Sequence, residues 1–316
     1  SSMAPTPTPS TEAEADTAMT HAAKLTTPTM FRWKPDWNAA LQFFEGAATT
    51  YRRLKRFDKA MGAHERAAVA QEAAGSVWHA GKALEAAATC AKELKRIEQC
   101  VDLYRCAFRK YAEAGRPDAA AEALARAAVA VDDANDPKGA AALYLEAIEH
   151  QEGEGRGAMT GDKTRAAVAC YCRAGAPADA IPLLLRLASN LDAAGASGAV
   201  SKAYLGAVVC ALAAGDARGA DATLGDVSGV PAFSNTSERL AAEALLDAYR
   251  AGDASEVQHV VKSNTCFVNL DACIARLAKK LPLPGTDVSA MSRALGGGIS
   301  APPQPLATVE DDDDLL

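Results

Sequence analysis

The sequence is poor in aromatic residues and in the β-branched residues that favour strands. Only 5% of its 316 residues are aromatic, whereas 74 are alanine. Alanine has the highest helix propensity because it loses no side-chain entropy on entering a helix. Strands are enriched in the residue types that are scarce here. The composition therefore predicts an all-α protein and argues against an α/β fold.

The chain also lacks an excess of positive charge and a long apolar run. Its net charge of -7 and pI near 5.4 argue against general nucleic-acid binding, which requires a basic surface. The uncharged stretch 203–215 has 13 residues, fewer than the roughly 20 that cross a bilayer. Residues 1–30 show no basic start followed by an apolar segment, so we expect no secretory signal. These features predict a soluble, cytoplasmic protein.

No pattern of catalytic or metal-binding residues is present. The sequence has no glycine-rich phosphate loop, and its five histidines form no close pair. Cys170 and Cys172 would point about 200° apart on a helix, so they cannot chelate zinc as a helical pair. We expect the eight cysteines to be reduced, buried thiols. The prediction is a protein that is not an enzyme, with no catalytic residue, metal, cofactor or small-molecule substrate.

The most informative internal feature is a repeat of 40 residues between about residues 37 and 225. Small residues recur at that interval in two columns, Ala47, Ala87, Ala127, Ala167 and Ala207, and Ala60, Cys100, Ala140, Ala180 and Ala220. Bulkier residues recur in register three positions before the first column and four after the second. Turn-like segments separate the columns at 55–57, 95–97, 135–137, 174–177 and 215–217. Each unit therefore predicts a helical hairpin.

A hairpin of two short helices cannot bury its apolar face alone, so hairpins of this kind must stack. We predict a right-handed superhelical solenoid of antiparallel helical hairpins, tetratricopeptide-like (TPR-like), with a C-terminal helical bundle. The predicted divisions are a flexible segment over 1–29, the solenoid with an N-terminal apolar loop over 30–230, the bundle over 231–281, and a flexible acidic tail over 282–316. Within the bundle, we predict helices over 237–249, 255–262 and 270–280.

Three parts of the chain resemble the gamma branch of the SNAP (soluble NSF attachment protein) family. They are the entry MFRWKPDW at 30–37, the stretches CAKELKRIEQCV at 90–101 and YAEAGRPDAA at 111–120, and PAFS at 231–234 leading to LLDAY at 245–249. The resemblance covers about residues 30 to 285. It implies an adaptor that lines SNARE four-helix bundles and recruits the hexameric ATPase NSF, which pulls the bundle apart after membrane fusion.

The entry segment resembles the family's apolar loop. Met30, Phe31 and Trp33 alternate with Arg32 and Lys34, and apolar side chains flanked by cations suit a membrane interface with anionic lipid. We therefore predict weak, peripheral membrane contact. The alternative from the residues themselves is that Phe31 and Trp33 pack onto the first hairpin.

Basic residues recur at equivalent hairpin ends. Arg52, Arg53, Lys55 and Arg56 are followed one repeat later by Lys92, Lys95 and Arg96, and Arg116 extends the series. SNARE bundles are acidic outside, so the resemblance implies that this stripe binds them and sets register. Ordinary solvated helix faces are the alternative, because exposed Lys and Arg are the norm.

The C-terminus carries four Asp followed by two Leu at 311–316. It resembles the acidic, leucine-terminated tail with which family members stimulate the ATPase, which assigns Asp313, Asp314, Leu315 and Leu316 to NSF binding. Without the family, such a tail is equally a solubilising end. Asp216 and Asp247 lie near positions where relatives contact NSF, although Arg250 and Ala251 replace acids that are usual in the alpha branch.

Two other classes of function remain open at this level. A TPR-like co-chaperone or peptide-binding scaffold would need a clamp of Lys, Arg and Asn on its inner helices, whereas the basic residues here lie mostly at hairpin ends. An enzyme with an active site inside a helical array is the second, and no group of residues supports it.

Overall fold

The computed structural model describes residues 8–28 and 33–282, and over these ranges the protein is all-α and contains no β-strand. Three short 3₁₀ helices cover Gly157–Met159, Pro177–Ala180 and Thr265–Phe267. The α-helices are α1 (Glu12–Thr26), α2 (Trp37–Arg53), α3 (Phe57–Ala73), α4 (Val77–Glu93), α5 (Ile97–Glu113), α6 (Pro117–Asp133), α7 (Pro137–Gly153), α8 (Gly161–Arg173), α9 (Ile181–Ala193), α10 (Ser197–Ala213), α11 (Ala217–Ser228), α12 (Pro231–Ser234), α13 (Ser237–Arg250), α14 (Ala254–Ser263) and α15 (Ala272–Ala278). The predicted fold class is confirmed.

Helices α2 to α7 are each 17 residues long, and each begins 20 residues after the one before it. Consecutive helices pack side by side along the chain. The predicted 40-residue period is therefore two helices of equal length, and the stacked hairpins of the prediction are confirmed. A helix of 17 residues is about 25 Å long, so alternate turns lie at opposite ends of the stack.

The turns are identical in backbone geometry. A residue of positive φ stands at every twentieth position: Lys55, Gly75, Lys95, Gly115, Asn135, Gly155, Gly175, Gly195 and Gly215. Its N–H donates to the carbonyl three residues earlier, and the next N–H donates to the carbonyl five residues earlier. This is the Schellman motif, which satisfies the last carbonyls of a helix and reverses the chain. Local hydrogen bonding thus fixes the period.

The two columns of small residues form the centre of the core. All ten, from Ala47 and Ala60 to Ala207 and Ala220, are 0% exposed. Phe44, Leu124 and Tyr144, from the bulkier columns, are also buried. Alanine at the crossings lets helix backbones approach, and the larger side chains fill the space between the crossings.

Helix α10 is the point at which the C-terminal helices join the stack. It contacts α9, α11, α12, α13 and α15, and every residue from Val200 to Leu212 except Lys202 is buried. A helix surrounded on all sides is apolar all round, which explains the uncharged stretch 203–215. The helices predicted after residue 236 are confirmed as α13, α14 and α15, with ends that differ by one or two residues.

Helix α1 differs from the expectation of a flexible segment over 1–29. Thr11 and Glu14 form a capping box, in which the Thr11 side chain accepts from the Glu14 N–H and the Glu14 carboxylate accepts from the Thr11 N–H. Ala15, Ala18 and Ala22 are buried against the following helices. The Pro- and Thr-rich composition hid a capping box and an alanine stripe that together specify a helix.

Ion pairs join helices of the same layer in neighbouring hairpins. Four of them link side chains 41 residues apart: Glu85–Arg126 and Lys92–Asp133 between α4 and α6, Arg105–Glu146 between α5 and α7, and Asp132–Arg173 between α6 and α8. Each is partly solvated, so each contributes on the order of 0.2–1 kcal/mol. Their common spacing follows from the 40-residue geometry of the stack.

All eight cysteines are free, and six of them are buried, as expected for reduced thiols. Burial is the main reason that the pKa of Cys100 rises to about 11, and the same holds for Cys170. A thiol is a nucleophile only as its thiolate, so these two cysteines are packing residues.

His64 predicts a specific pH dependence of stability. Burial, with Arg52 nearby, lowers its pKa to about 4, while the unfolded value is near 6.5. The unfolded chain therefore takes up a proton between pH 6.5 and 4 that the folded protein does not, so stability falls as pH falls through this window. Between pH 7 and 5 the expected loss is about 1–2 kcal/mol.

Urea unfolding at both pH values, for the wild type and His64→Gln, measures this contribution. Carboxylates such as Asp118, whose pKa is lowered by Arg156, also weaken stability in acid, but they do so equally in both proteins. We expect the variant to lose less stability than the wild type. Parallel losses would show that His64 does not cause the effect.

Candidate partner-binding site

Two hairpin turns bring the predicted basic residues to one edge of the stack. The α2–α3 turn carries Arg52, Arg53, Lys55 and Arg56, and the α4–α5 turn carries Lys95 and Arg96. We call these six residues the basic edge. All six side chains are exposed. Because both turns close a hairpin at the same end, the two clusters are neighbours along one edge.

Lys55 and Lys95 occupy strained backbone positions. Their φ angles are 56° and 58°, in the left-handed region, and six of the nine equivalent turns have glycine there. A residue with a Cβ in this conformation costs about 1–2 kcal/mol relative to the right-handed region, and glycine avoids that cost. Lys55 and Lys95 are thus retained at positions where the fold itself favours glycine.

Several of the predicted cations already have partners within the protein. Arg56 Nη1 lies 2.9 Å from Glu12 Oε2, and Arg53 donates to the Ser10 carbonyl. Lys92 lies 2.6 Å from Asp133, which raises the Lys92 pKa. Within the described ranges, Arg52, Lys55, Lys95 and Arg96 form no ion pair. These four are the cations of the edge that are free for a partner.

The stripe is shorter than the sequence suggested. Arg116 lies in the turn between α5 and α6, which is at the opposite edge because antiparallel helices about 25 Å long separate the two sets of turns. There its guanidinium lies 5.7 Å from the Trp78 ring. Asp132 and Asp133 end the basic run at the third hairpin. The expectation that Arg116 extends the stripe is wrong.

Of the predicted membrane loop, Met30 and Phe31 lie outside the described residues. Trp33 is 88% exposed, and Lys34 beside it is also exposed. The alternative in which Trp33 packs onto the first hairpin is therefore wrong for this residue. Across residues 8–28 and 33–282, no helix has the length and apolarity needed to span a bilayer.

The acidic residues predicted to contact NSF divide into two groups. Asp313, Asp314, Leu315 and Leu316 lie outside the described residues. Asp216 is the N-cap of α11 and accepts from the Gly219 N–H at 2.7 Å, and Asp247 is exposed in the last turn of α13.

Arg250 brings these two carboxylates to the same end of the helix pair. It lies 2.7 Å from Asp221, an ion pair that places the start of α11 beside the end of α13. Where the alpha branch has an acid, Arg250 thus binds one on the neighbouring helix. The turn of Asp216 lies on the same edge as those of Lys55 and Lys95, so this edge is basic at the N-terminal hairpins and acidic towards the C-terminal helices.

The sequence interpretation missed three residues beside the basic edge. Lys59 on α3 lies 2.9 Å from Glu12 and 2.7 Å from Asp16, and Glu12 and Asp16 share one face of α1. The spacing of two acids four residues apart behind Thr11 is the available signal. Without a helix assigned there, it had no face to define.

Comparison with known proteins agrees with this architecture. The model of the family described as soluble NSF attachment protein, SNAP, matches residues 11–280. The gamma-soluble NSF attachment protein of Arabidopsis thaliana is 39% identical over 70 residues, which are 22% of this chain and 24% of that relative. The matched stretch thus spans about a quarter of the relative's length.

A solved structure, that of BtubC (BKLC) from P. vanneervenii, covers 69% of this chain and 88% of its own, with 18% identity and a TM-score of 0.36. A likeness at that level carries no argument about function. The family match is different, since it extends from α1 through the C-terminal helices and includes the basic edge, Asp216 and Asp247. The resemblance seen in the sequence is confirmed: the chain belongs to the soluble NSF attachment protein family.

Proposed function

We propose that the protein is an adaptor that binds SNARE complexes along its basic edge and recruits and stimulates the NSF ATPase through its C-terminal end. In this proposal it carries out no catalytic step and works in the cytoplasm, peripherally associated with membranes. The chemistry of SNARE disassembly belongs to the ATPase.

The observation that carries the proposal is the retention of Lys55 and Lys95 in left-handed turns. Backbone strain persists where function requires the residue that causes it. These two lysines are equivalent by the 40-residue repeat and free of ion pairs within the described ranges. Two cations one hairpin apart, joined by Arg52 and Arg96, match an extended acidic surface such as the outside of a four-helix bundle.

The other predicted sites complete the proposal. Asp216, Asp247 and the terminal residues Asp313, Asp314, Leu315 and Leu316 are proposed to contact the ATPase. Met30, Phe31 and Trp33 are proposed to touch the membrane, and the exposure of Trp33 beside Lys34 supports that role. Burying such side chains would add about 1.5–3 kcal/mol each, which helps only when a membrane-held complex is already bound.

The test is sedimentation with assembled SNARE bundles together with NSF turnover of ATP. We expect the purified protein to sediment with the bundles and to raise ATP hydrolysis. Removal of Leu315 and Leu316 is expected to abolish the stimulation and to leave SNARE binding intact, because the tail and the basic edge are separate contacts. Sedimentation with neither bundle nor ATPase would refute the proposed function, and full stimulation after trimming would refute the role of the tail.

A further inference from the structure

The first helix covers part of the basic edge with carboxylates. Glu12 lies 2.9 Å from both Arg56 Nη1 and Lys59 Nζ. Asp16 Oδ1 lies 2.7 Å from Lys59 Nζ and accepts from the Tyr51 hydroxyl at 2.6 Å. Two acids one helical turn apart therefore bind a row of donors from α2 and α3.

The segment before α1 follows the same surface. The carbonyl of Pro9 accepts from the Thr50 hydroxyl at 2.6 Å, and the carbonyl of Ser10 accepts from Arg53. Residues 9–16 thus present four acceptors to the end of the first hairpin. Their chemistry, carboxylates on one face of a helix, is that of an acidic partner helix.

The electrostatics of these contacts agree with the geometry. The hydrogen bond from Lys59, and then that from Tyr51, lower the pKa of Asp16. Asp16 and then Glu12 raise the pKa of Lys59. All three groups are therefore ionised at neutral pH, and the contacts are between full charges.

We propose that Glu12 and Asp16 are an internal acidic ligand of the basic edge that competes with an acidic partner helix for Arg56 and its neighbours. The inference rests on the proposed function in one respect, namely that the partner's surface is the acidic outside of a SNARE bundle. The competition itself requires only an acidic polypeptide.

Exchange of these contacts does not require α1 to unfold. The carboxylate side chains of Glu12 and Asp16 are 33% and 48% exposed, so a second carboxylate can reach the same cations. Solvated ion pairs are individually weak and easily displaced. Ala15, Ala18 and Ala22 hold α1 on the stack through apolar contacts that the exchange leaves in place.

The matched pair of variants is Glu12→Gln with Asp16→Asn, and Glu14→Gln. Glu14 is on the same helix, but its carboxylate binds only Ser10 and Thr11, and glutamine keeps the capping box. Binding to SNARE bundles and, separately, to poly-L-glutamate is measured at low and high salt. We expect the double variant to bind about two- to fivefold more tightly at low salt, with the gain lost at high salt, and Glu14→Gln to bind like the wild type.

The outcomes separate this inference from the proposed function. Tighter poly-L-glutamate binding without any binding of SNARE bundles would support the internal ligand and refute the function. Unchanged or weaker binding of both probes by the double variant would overturn the inference, as would an equal gain from Glu14→Gln. Circular dichroism and urea unfolding verify that α1 stays folded in each variant.

Discussion

Replacing Lys55 and Lys95 by glycine is expected to make the protein more stable and to weaken its binding to SNARE bundles. Both lysines have left-handed φ angles, and glycine removes the clash of the Cβ atom with the backbone. Part of that gain is offset by the greater freedom of glycine in the unfolded chain. The expected net gain is about 0.5–1 kcal/mol per site, measured by urea unfolding.

The binding effect has the opposite sign. The substitutions remove two of the four cations of the basic edge that form no ion pair in the described ranges. Charges at the rim of an interface act mainly through association rate and salt dependence. We expect affinity to fall roughly tenfold at low salt, with a smaller difference at high salt.

Two control variants separate strain from charge. Lys55→Arg with Lys95→Arg keeps the charge and the strained backbone, so both stability and binding should resemble the wild type. Asn135→Gly changes the third non-glycine turn, and asparagine tolerates this conformation, so it should alter neither by much. Glycine variants that gain stability and keep full affinity would show that the lysines are not used for binding.

Gly81→Ala is expected to destabilise the protein strongly. A Cβ atom at position 81 would lie 2.7 Å from Cε1 of Tyr111, and that ring is 2% exposed. Trp78 packs against the ring at 4.7 Å between centroids, and Glu85 accepts from its hydroxyl at 2.7 Å. Because the ring is held on both sides, the α4–α5 contact must open. Overpacking of this kind costs about 1–3 kcal/mol.

The matched control is Gly62→Ala on α3. Gly62 is also within a helix, but nothing lies within 4 Å of its added Cβ. There the higher helix propensity of alanine should stabilise the protein by about 0.5–1 kcal/mol. Thermal and urea unfolding of both variants measure the contrast. Similar effects at the two positions would mean that Tyr111 does not restrict the space at Gly81.

A double-variant cycle assigns the cost to Tyr111. Tyr111→Leu alone loses aromatic packing and the hydrogen bond to Glu85, but it makes room for the methyl group that Gly81→Ala adds. The loss in the protein carrying both substitutions should therefore be smaller than the sum of the single losses. Strict additivity would contradict the steric explanation.

Much of the solenoid could be predicted from the sequence because its determinants are local. The small columns headed by Ala47 and Ala60 recur with the period of the stack, and the turn residues recur with them. The intervening turns at Gly75, Gly115, Gly155 and Gly195 carry the same signal at half the period. They were not used in the prediction, although glycine at every fortieth position marks helix ends directly.

The site was predicted less well, because charge in a sequence does not reveal its neighbours. Arg116 continues the basic series along the chain but lies at the other end of a helix. Lys92 belongs to the series and is held by Asp133, 41 residues away. The role of α1 was missed for the same reason, since Glu12 acts on Arg56 and Lys59 only once the first helix packs on the hairpin.

The sequence by itself determined the helices, their lengths and the interval at which they turn, since capping, propensity and small-residue spacing act within one or two helical turns. Only the tertiary structure decided which cations share an edge, which are already paired, and how α10 is enclosed by the C-terminal helices. Those properties depend on distances between residues tens of positions apart, and stacking alone sets such distances.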